Sequence, residues 1–174
     1  MKFYSGFALT DDKRFFTPYL REGEYRVAGF SYGAIKAFLH VKESKTRIDT
    51  LQLFSPAFFQ DRDVAFKKLQ LLGYKKGSER YLQNFLKSCF YPYEQESVAV
   101  GEHSVEALRE LLYFEWSETA LREIVDRGVT VELYLGEKDA VIDARRVKAF
   151  FQPYATIYLI KDANHFLYSE PKDR

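Results

Sequence analysis

Where a β-type run, Glu24 to Phe30 (EYRVAGF), gives way to a helical one, Gly33 to Val41, the chain reads Gly29-Phe30-Ser31-Tyr32-Gly33. A serine set between two glycines at a strand-to-helix junction leaves few ways to fold. The backbone turns sharply there, the glycines let strand and helix approach closely, and the hydroxyl is left at the tip of the turn. It also stands at a helix N-terminus, where unpaired N–H groups and the positive dipole end favour negative charge. Ser31 is therefore a candidate nucleophile, and the Tyr32 N–H a candidate donor to an oxygen that becomes negative during reaction.

Such a pentapeptide also arises by chance in small-residue turns, so its weight depends on the rest of the chain. Lys2 to Phe7 is a short β-type run ending at Ser5-Gly6, and Asp11 to Glu22 carries Phe15, Phe16, Tyr19 and Leu20 at helical spacing. Asp49 to Phe54, Thr130 to Leu135 and Thr156 to Ile160 read as three further strands, with a helix over Ala144 to Phe151 before the last. Strands alternating with helices predict one α/β domain over residues 1–174, with a mostly parallel five-stranded sheet, right-handed crossovers and helices on both faces. From about residue 57 to 127 the alternation stops. Leu82, Phe85, Leu86 and Cys89, then Leu108, Leu111 and Leu112, mark helical stripes. This insertion reads as a lid packed on the sheet domain.

An open α/β sheet places its site at the carboxyl ends of its strands. Leu135-Gly136-Glu137-Lys138-Asp139 follows one strand and Asn164-His165 follows the last, in the order serine, acid, histidine expected of a nucleophile elbow. Of three histidines, His40 lies late in a helix and His103 inside the insertion, which leaves His165 as the base. Asp139 is the expected acid. Asp143 and Asp162 compete with it, although Asp143, just before Ala144-Arg145-Arg146, suits a helix N-cap. The second oxyanion donor is expected from the loop after the first strand, at the Phe7 N–H.

Composition narrows the remaining possibilities. Apolar residues form 47% of the chain and aromatics 17%, which rules out disorder. With 26 Lys and Arg against 25 Asp and Glu, net charge gives no push toward nucleic acid or membrane. The single cysteine, Cys89, allows no internal disulfide, and neither a signal-type leader nor a membrane-length apolar run is present. A soluble cytoplasmic protein is expected, without metal or cofactor, since no metal-ligand spacing or Gly-rich phosphate loop occurs.

Within the insertion the charge is split. Between Gln60 and Phe90, Arg62, Lys67, Lys68, Lys75, Lys76, Arg80 and Lys87 face only Asp61, Asp63 and Glu79. From Glu94 to Asp126, acids outnumber Arg109 and Arg122. These runs read either as solvated helix faces or as a basic half, with Lys67, Lys68, Lys75, Lys76 and Arg80, that docks an acidic carrier protein.

The segments KFYSGF at Lys2 to Phe7, AGFSYGAIKA at Ala28 to Ala37, LFSP at Leu53 to Pro56, AFKKLQL at Ala65 to Leu71, GEKD at Gly136 to Asp139 and ANHFL at Ala163 to Leu167 share a further property. Together they resemble the pimeloyl-[acyl-carrier protein] methyl ester esterases of biotin synthesis, in their short BioV-type form, over nearly the whole chain. That resemblance implies an α/β-hydrolase fold lacking the first strands of larger relatives, with a helical lid. It also implies a triad at Ser31, Asp139 and His165, with Tyr32 and Phe7 at the backbone oxyanion positions. The family cleaves the methyl ester at the far end of a pimeloyl chain held on acyl carrier protein. Larger relatives carry His-Gly at the oxyanion loop, where this chain has Ser5-Gly6. Outside the family, the same residues fit a general short-chain esterase or thioesterase, or a scaffold that binds without catalysis.

Overall fold

In a computed structural model that describes residues 1–170, the five β-type runs form β1 (Lys2–Tyr4), β2 (Arg26–Phe30), β3 (Thr50–Phe54), β4 (Thr130–Gly136) and β5 (Thr156–Ile160). They make one wholly parallel sheet in the order β1-β2-β3-β4-β5. The register sets Phe30 beside Phe54 and Phe54 beside Tyr134, so β2 and β3 end level, β4 runs two residues further to end beside β5 at Gly136 and Ile160, and the following loops emerge at one rim.

Alternation along the strands sorts the core into two layers. Val27, Leu51, Leu53, Val131, Leu133, Leu135 and Ile157 point to the face covered by α1 (Tyr32–Glu43), α5 (Glu118–Asp126) and α6 (Ala144–Phe151). Ala28, Phe30, Phe54, Tyr134 and Tyr158 point to the other face, where Phe16, Phe90 and Phe166 pack on them. Phe16 lies 4.7 Å from Phe30 and 4.8 Å from Phe54 between ring centroids.

The helix expected over Asp11 to Glu22 is only a 3₁₀ turn, Asp12–Phe16. Pro18 explains the difference, because it lacks the N–H that an α-helix would bond back to Arg14, so the ladder stops there although Thr17 itself keeps a helical φ and ψ of −48° and −39°. The apolar side chains still reach the sheet. Lower on this face a polar knot replaces apolar packing: Gln52 Nε2 donates to Tyr19 O (3.0 Å) and to Glu132 Oε2 (2.9 Å), which also accepts from Tyr134 OH. A buried carboxylate and amide are tolerated there because their hydrogen bonds are made within the protein.

The insertion contributes α2 (Val64–Lys76), α3 (Ser78–Phe90) and α4 (Val105–Tyr113) over the rim. Asp63, Ser104 and Ser117 cap α2, α4 and α5, each accepting from a backbone N–H three residues on. The lid expected over residues 57–127 is shorter by one helix. α5 packs beside α1, and Arg127 donates to Val41 O (2.6 Å) and Lys42 O (3.0 Å), so α5 is the crossover helix that a parallel β3-to-β4 connection requires. Leu71, Leu82, Leu108 and Leu112 share one core with α1, so the lid is packed and not tethered.

Candidate active site

The elbow forms because β2 ends on a residue that must turn. Ser31 adopts φ 51° and ψ −114°, a strained conformation for a side-chain-bearing residue, and the next residue starts α1. Backbone bonds hold it: Ser31 N–H donates to Phe54 O (3.0 Å), and Ser31 O accepts from Ala34 and Ala57 N–H (both 3.1 Å). The flanking glycines are obligatory. A Cβ on Gly29 would lie 2.2 Å from Gly33 O, and one on Gly33 would lie 2.0 Å from Tyr4 O.

The acid comes from the loop after β4. Asp139 Oδ1 accepts from Val141 N–H (2.8 Å) and Ile142 N–H (3.1 Å), which turns Oδ2 toward His165 Nδ1 at 2.6 Å. Its two competitors are engaged elsewhere. Asp143 caps α6 through Arg145 and Arg146 N–H, and Asp162 pairs with Lys138 Nζ at 3.1 Å.

His165 lies on the loop after β5, held by Asn164, whose Oδ1 accepts from Phe166 and Tyr168 N–H and whose Nδ2 donates to Phe90 O. Its Nε2 stands 3.2 Å from Ser31 Oγ. The side chains of His165 and Asp139 are wholly buried, so carboxylate, imidazole and hydroxyl make a continuous line shielded from water. Cys89 also lies near Asp139, but burial pushes its thiol well above the usual range, which keeps it protonated and unreactive.

The expected oxyanion donors belong to two elements. Tyr32 is the first residue of α1, so its N–H has no acceptor within the helix. Its phenol donates to Glu110 of α4, and burial together with that carboxylate raises the phenol far above its ordinary value. Phe7 lies in the loop after β1. Its ring packs edge-on to Tyr32, Tyr74 and Phe85, joining the loop to the lid.

A cavity of about 440 Å³ opens between α2, α3, α4 and this loop, lined by Phe7, Phe59, Phe66, Phe85, Leu111 and Val141, with Arg62, Gln70, Asn84 and Ser88 as its polar members. Ser31 and His165 are not on its wall, and Ser31 is only 5% exposed in this structure. A smaller cavity of about 250 Å³ touches both Phe7 and Tyr32 from the other side, together with Lys36 and His103.

Of the basic residues expected to dock a carrier, Lys68, Lys75, Lys76 and Arg80 are exposed and Lys67 is not. Lys67 is 7% exposed, with Nζ 5.1 Å from the centre of the Tyr113 ring, so its charge is spent inside the lid and it leaves the docking set. His40 and His103 each bond a tyrosine hydroxyl, those of Tyr4 and Tyr74, away from the triad.

Two features had no sequence signal. Residues 99–101 cross the loop after β1: Gly101 N–H donates to Ala8 O (2.9 Å), Thr10 N–H to Ala99 O (3.2 Å), and Leu9 bridges Val100. At the base of the lid, Trp116 Nε1 donates to Ala57 O (2.9 Å), tying the end of the insertion to the residue that bonds the elbow. Among the described residues no helix is long and apolar enough to cross a membrane, and no group of three His, Cys, Asp or Glu is placed to hold a metal ion.

This sheet, elbow and loop order constitute an α/β-hydrolase fold. A hydrolase from Oleispira antarctica superposes with a TM-score of 0.59 at 12% identity, over 82% of this chain and 58% of that one. The E-2-(acetamidomethylene)succinate hydrolase does so at 0.59 and 12% identity, over 95% and 84%. Naproxen esterase from Bacillus subtilis gives 0.54 at 17% identity, over 82% and 53%. The chain thus spans little more than half the length of the first and third of these structures. No family model and no curated protein sequence matches it.

Proposed function

We propose that the protein is a serine carboxylic ester hydrolase. One observation carries the reading: Asp139 Oδ2, the His165 ring and Ser31 Oγ stand in line at 2.6 and 3.2 Å, at the ends of three different strands. In this mechanism His165 Nε2 takes the Ser31 proton as Oγ attacks the ester carbonyl carbon, and Asp139 holds the imidazole tautomer and steadies its positive charge. The Tyr32 and Phe7 N–H groups receive the oxyanion. His165 then returns the proton to the leaving alcohol, and water deacylates Ser31. A protonated imidazole cannot serve as this base, so the neutral ring is the active form.

The substrate we propose is the methyl ester of a pimeloyl chain carried on acyl carrier protein, with methanol as leaving group, in biotin synthesis. The sequence resemblance suggests it. Support comes from the apolar cavity beside Phe7, within the usual ligand-pocket range of about 300–1,000 Å³, and from the lid exterior. There Lys68, Lys75 and Lys76 are exposed on α2 together with Leu72 and with Leu69, which also lines the cavity, and Arg80 is exposed on α3, a surface suited to an acidic partner.

The test is turnover of pimeloyl-carrier methyl ester beside p-nitrophenyl butyrate, by wild type and Ser31→Ala, with a fluorophosphonate to label the nucleophile. Covalent mass on Ser31 and loss of both activities in Ser31→Ala are expected. Full activity in Ser31→Ala ends the mechanism, and equal preference for the two esters makes the protein a general short-chain esterase. Charge reversal at Lys68, Lys75 and Arg80 should raise KM for the carrier-bound ester alone, less so at high salt.

A further inference from the structure

The loop that carries Phe7 depends on a glycine, and that dependence creates a problem. A Cβ at Gly6 would lie 2.8 Å from the Phe30 ring, so close approach to the elbow strand leaves room only for hydrogen. The same lack of a side chain leaves this backbone unusually free to rotate. A donor aimed at a reacting oxygen needs the opposite, a fixed peptide plane.

Asp12 supplies the constraint. It opens the 3₁₀ turn beneath the loop with no exposed surface, and its Oδ2 accepts the Gly6 N–H at 2.8 Å. Its other oxygen, Oδ1, makes no hydrogen bond of good geometry among the described residues, with only the nearby Ser5 hydroxyl to ease the carboxylate. Such a placement is costly, since burial pushes this carboxyl above the usual range despite the Gly6 bond that pulls it back. An apolar side chain would fill the site without that cost, so what Asp12 contributes lies in the bond to Gly6.

The consequence reaches Phe7 through two peptide planes. Asp12 fixes the Ser5–Gly6 plane by its N–H, and Leu9 N–H fixes the Gly6–Phe7 plane by its carbonyl, at 3.2 Å from Gly6 O. In a trans peptide the N–H points opposite to the carbonyl, so these two tethers set the direction of the Phe7 N–H. Beyond Phe7, the bond from Gly101 N–H holds Ala8 at its φ of 62°.

We infer that Asp12 is a positioning residue, whose buried carboxyl holds Gly6 so that the Phe7 N–H stays aimed at the oxyanion formed on Ser31. The inference rests on the proposal that Ser31 is the nucleophile.

The experiment compares wild type with Asp12→Ala and Asp12→Asn on p-nitrophenyl butyrate, and with a trifluoromethyl ketone, which Ser31 converts to a tetrahedral oxyanion. Asn keeps an acceptor for Gly6, whereas Ala does not. Asp12→Ala should lose about 10- to 100-fold in kcat with KM within about twofold, and should bind the ketone more weakly by the same factor. Asp12→Asn should stay within about threefold of wild type. If Asp12→Ala does not fold, Asp12→Ser, too short to reach Gly6, is measured in its place. An unchanged kcat in Ala or Ser, a loss in Asn as large as in Ala, or a loss confined to KM overturns the assignment while leaving the nucleophile intact. Wild type lacking Ser31-dependent hydrolysis takes both down.

Discussion

The two sides of the site are held by different kinds of bond. On the triad side, Ser31, Asp139 and His165 each follow a strand of one parallel sheet, and bonds close to the strand ends fix their loops: Ser31 N–H to Phe54 O at the end of the neighbouring strand, and the Val141 and Ile142 N–H groups to the Asp139 carboxylate. On the oxyanion side, the loop after β1 hangs on a buried carboxyl below and on residues 99–101 above. The first arrangement repeats a local rule three times. The second depends on segments about 90 residues apart meeting correctly, as in the bond from Ala99 N–H to Asp11 Oδ1. A site can thus be rigid in its proton-transfer line and conditional in its electrostatics, the part of acyl transfer that usually contributes most.

The sharpest way to break this contrast is to remove the nucleophile. Ser31→Ala should lower kcat for p-nitrophenyl butyrate by roughly 10⁵- to 10⁶-fold, with the circular dichroism spectrum unchanged. Asp139→Asn should cost roughly 10³- to 10⁴-fold in the same assay by favouring the wrong imidazole tautomer. A loss that large in Asp143→Ala instead would move the acid to α6. Gly33→Ala drives a methyl into Tyr4 O and should destabilise the fold by about 2–3 kcal/mol in urea unfolding. Trp116→Phe removes the donor to Ala57 O and should cost about 1 kcal/mol, with a smaller fall in activity than any triad change. The smallest effect is a pH dependence of stability. Because the folded pKa of Asp12 is raised from 3.8, the folded state holds that proton more tightly than the unfolded chain. Wild-type stability relative to Asp12→Asn therefore falls as pH rises from 3.8 through the folded pKa, measured by urea unfolding at several pH values.

Much of the triad side is legible in the chain because its constraints are local. Gly29 is dictated by a contact within the elbow turn and Gly33 by the close approach of β1, both flagged by the G-x-S-x-G spacing, and strand and helix periods announce where β2, β4 and β5 end. The register then brings Ser31, Asp139 and His165 to one rim. Asp143 is equally legible as a cap. Asp12 is not: nothing in FALTDDKRFF separates it from Asp11, and only the fold buries one and leaves the other half-buried. Lys67 misleads for the same reason, since a lysine among basic neighbours reads as surface until Tyr113 closes over it. The helix expected over Asp11 to Glu22 fails because Pro18 outweighs an otherwise helical apolar spacing.

By itself, then, the order of residues determined a parallel sheet with an elbow at Ser31, because alternating strand and helix periods and the turn at Gly29 act over a few residues. Tertiary structure alone decided which lysines stay in water and that a buried carboxyl steadies the loop before Phe7. Those outcomes depend on burial and on contacts between distant segments, and neither quantity exists until the chain has folded.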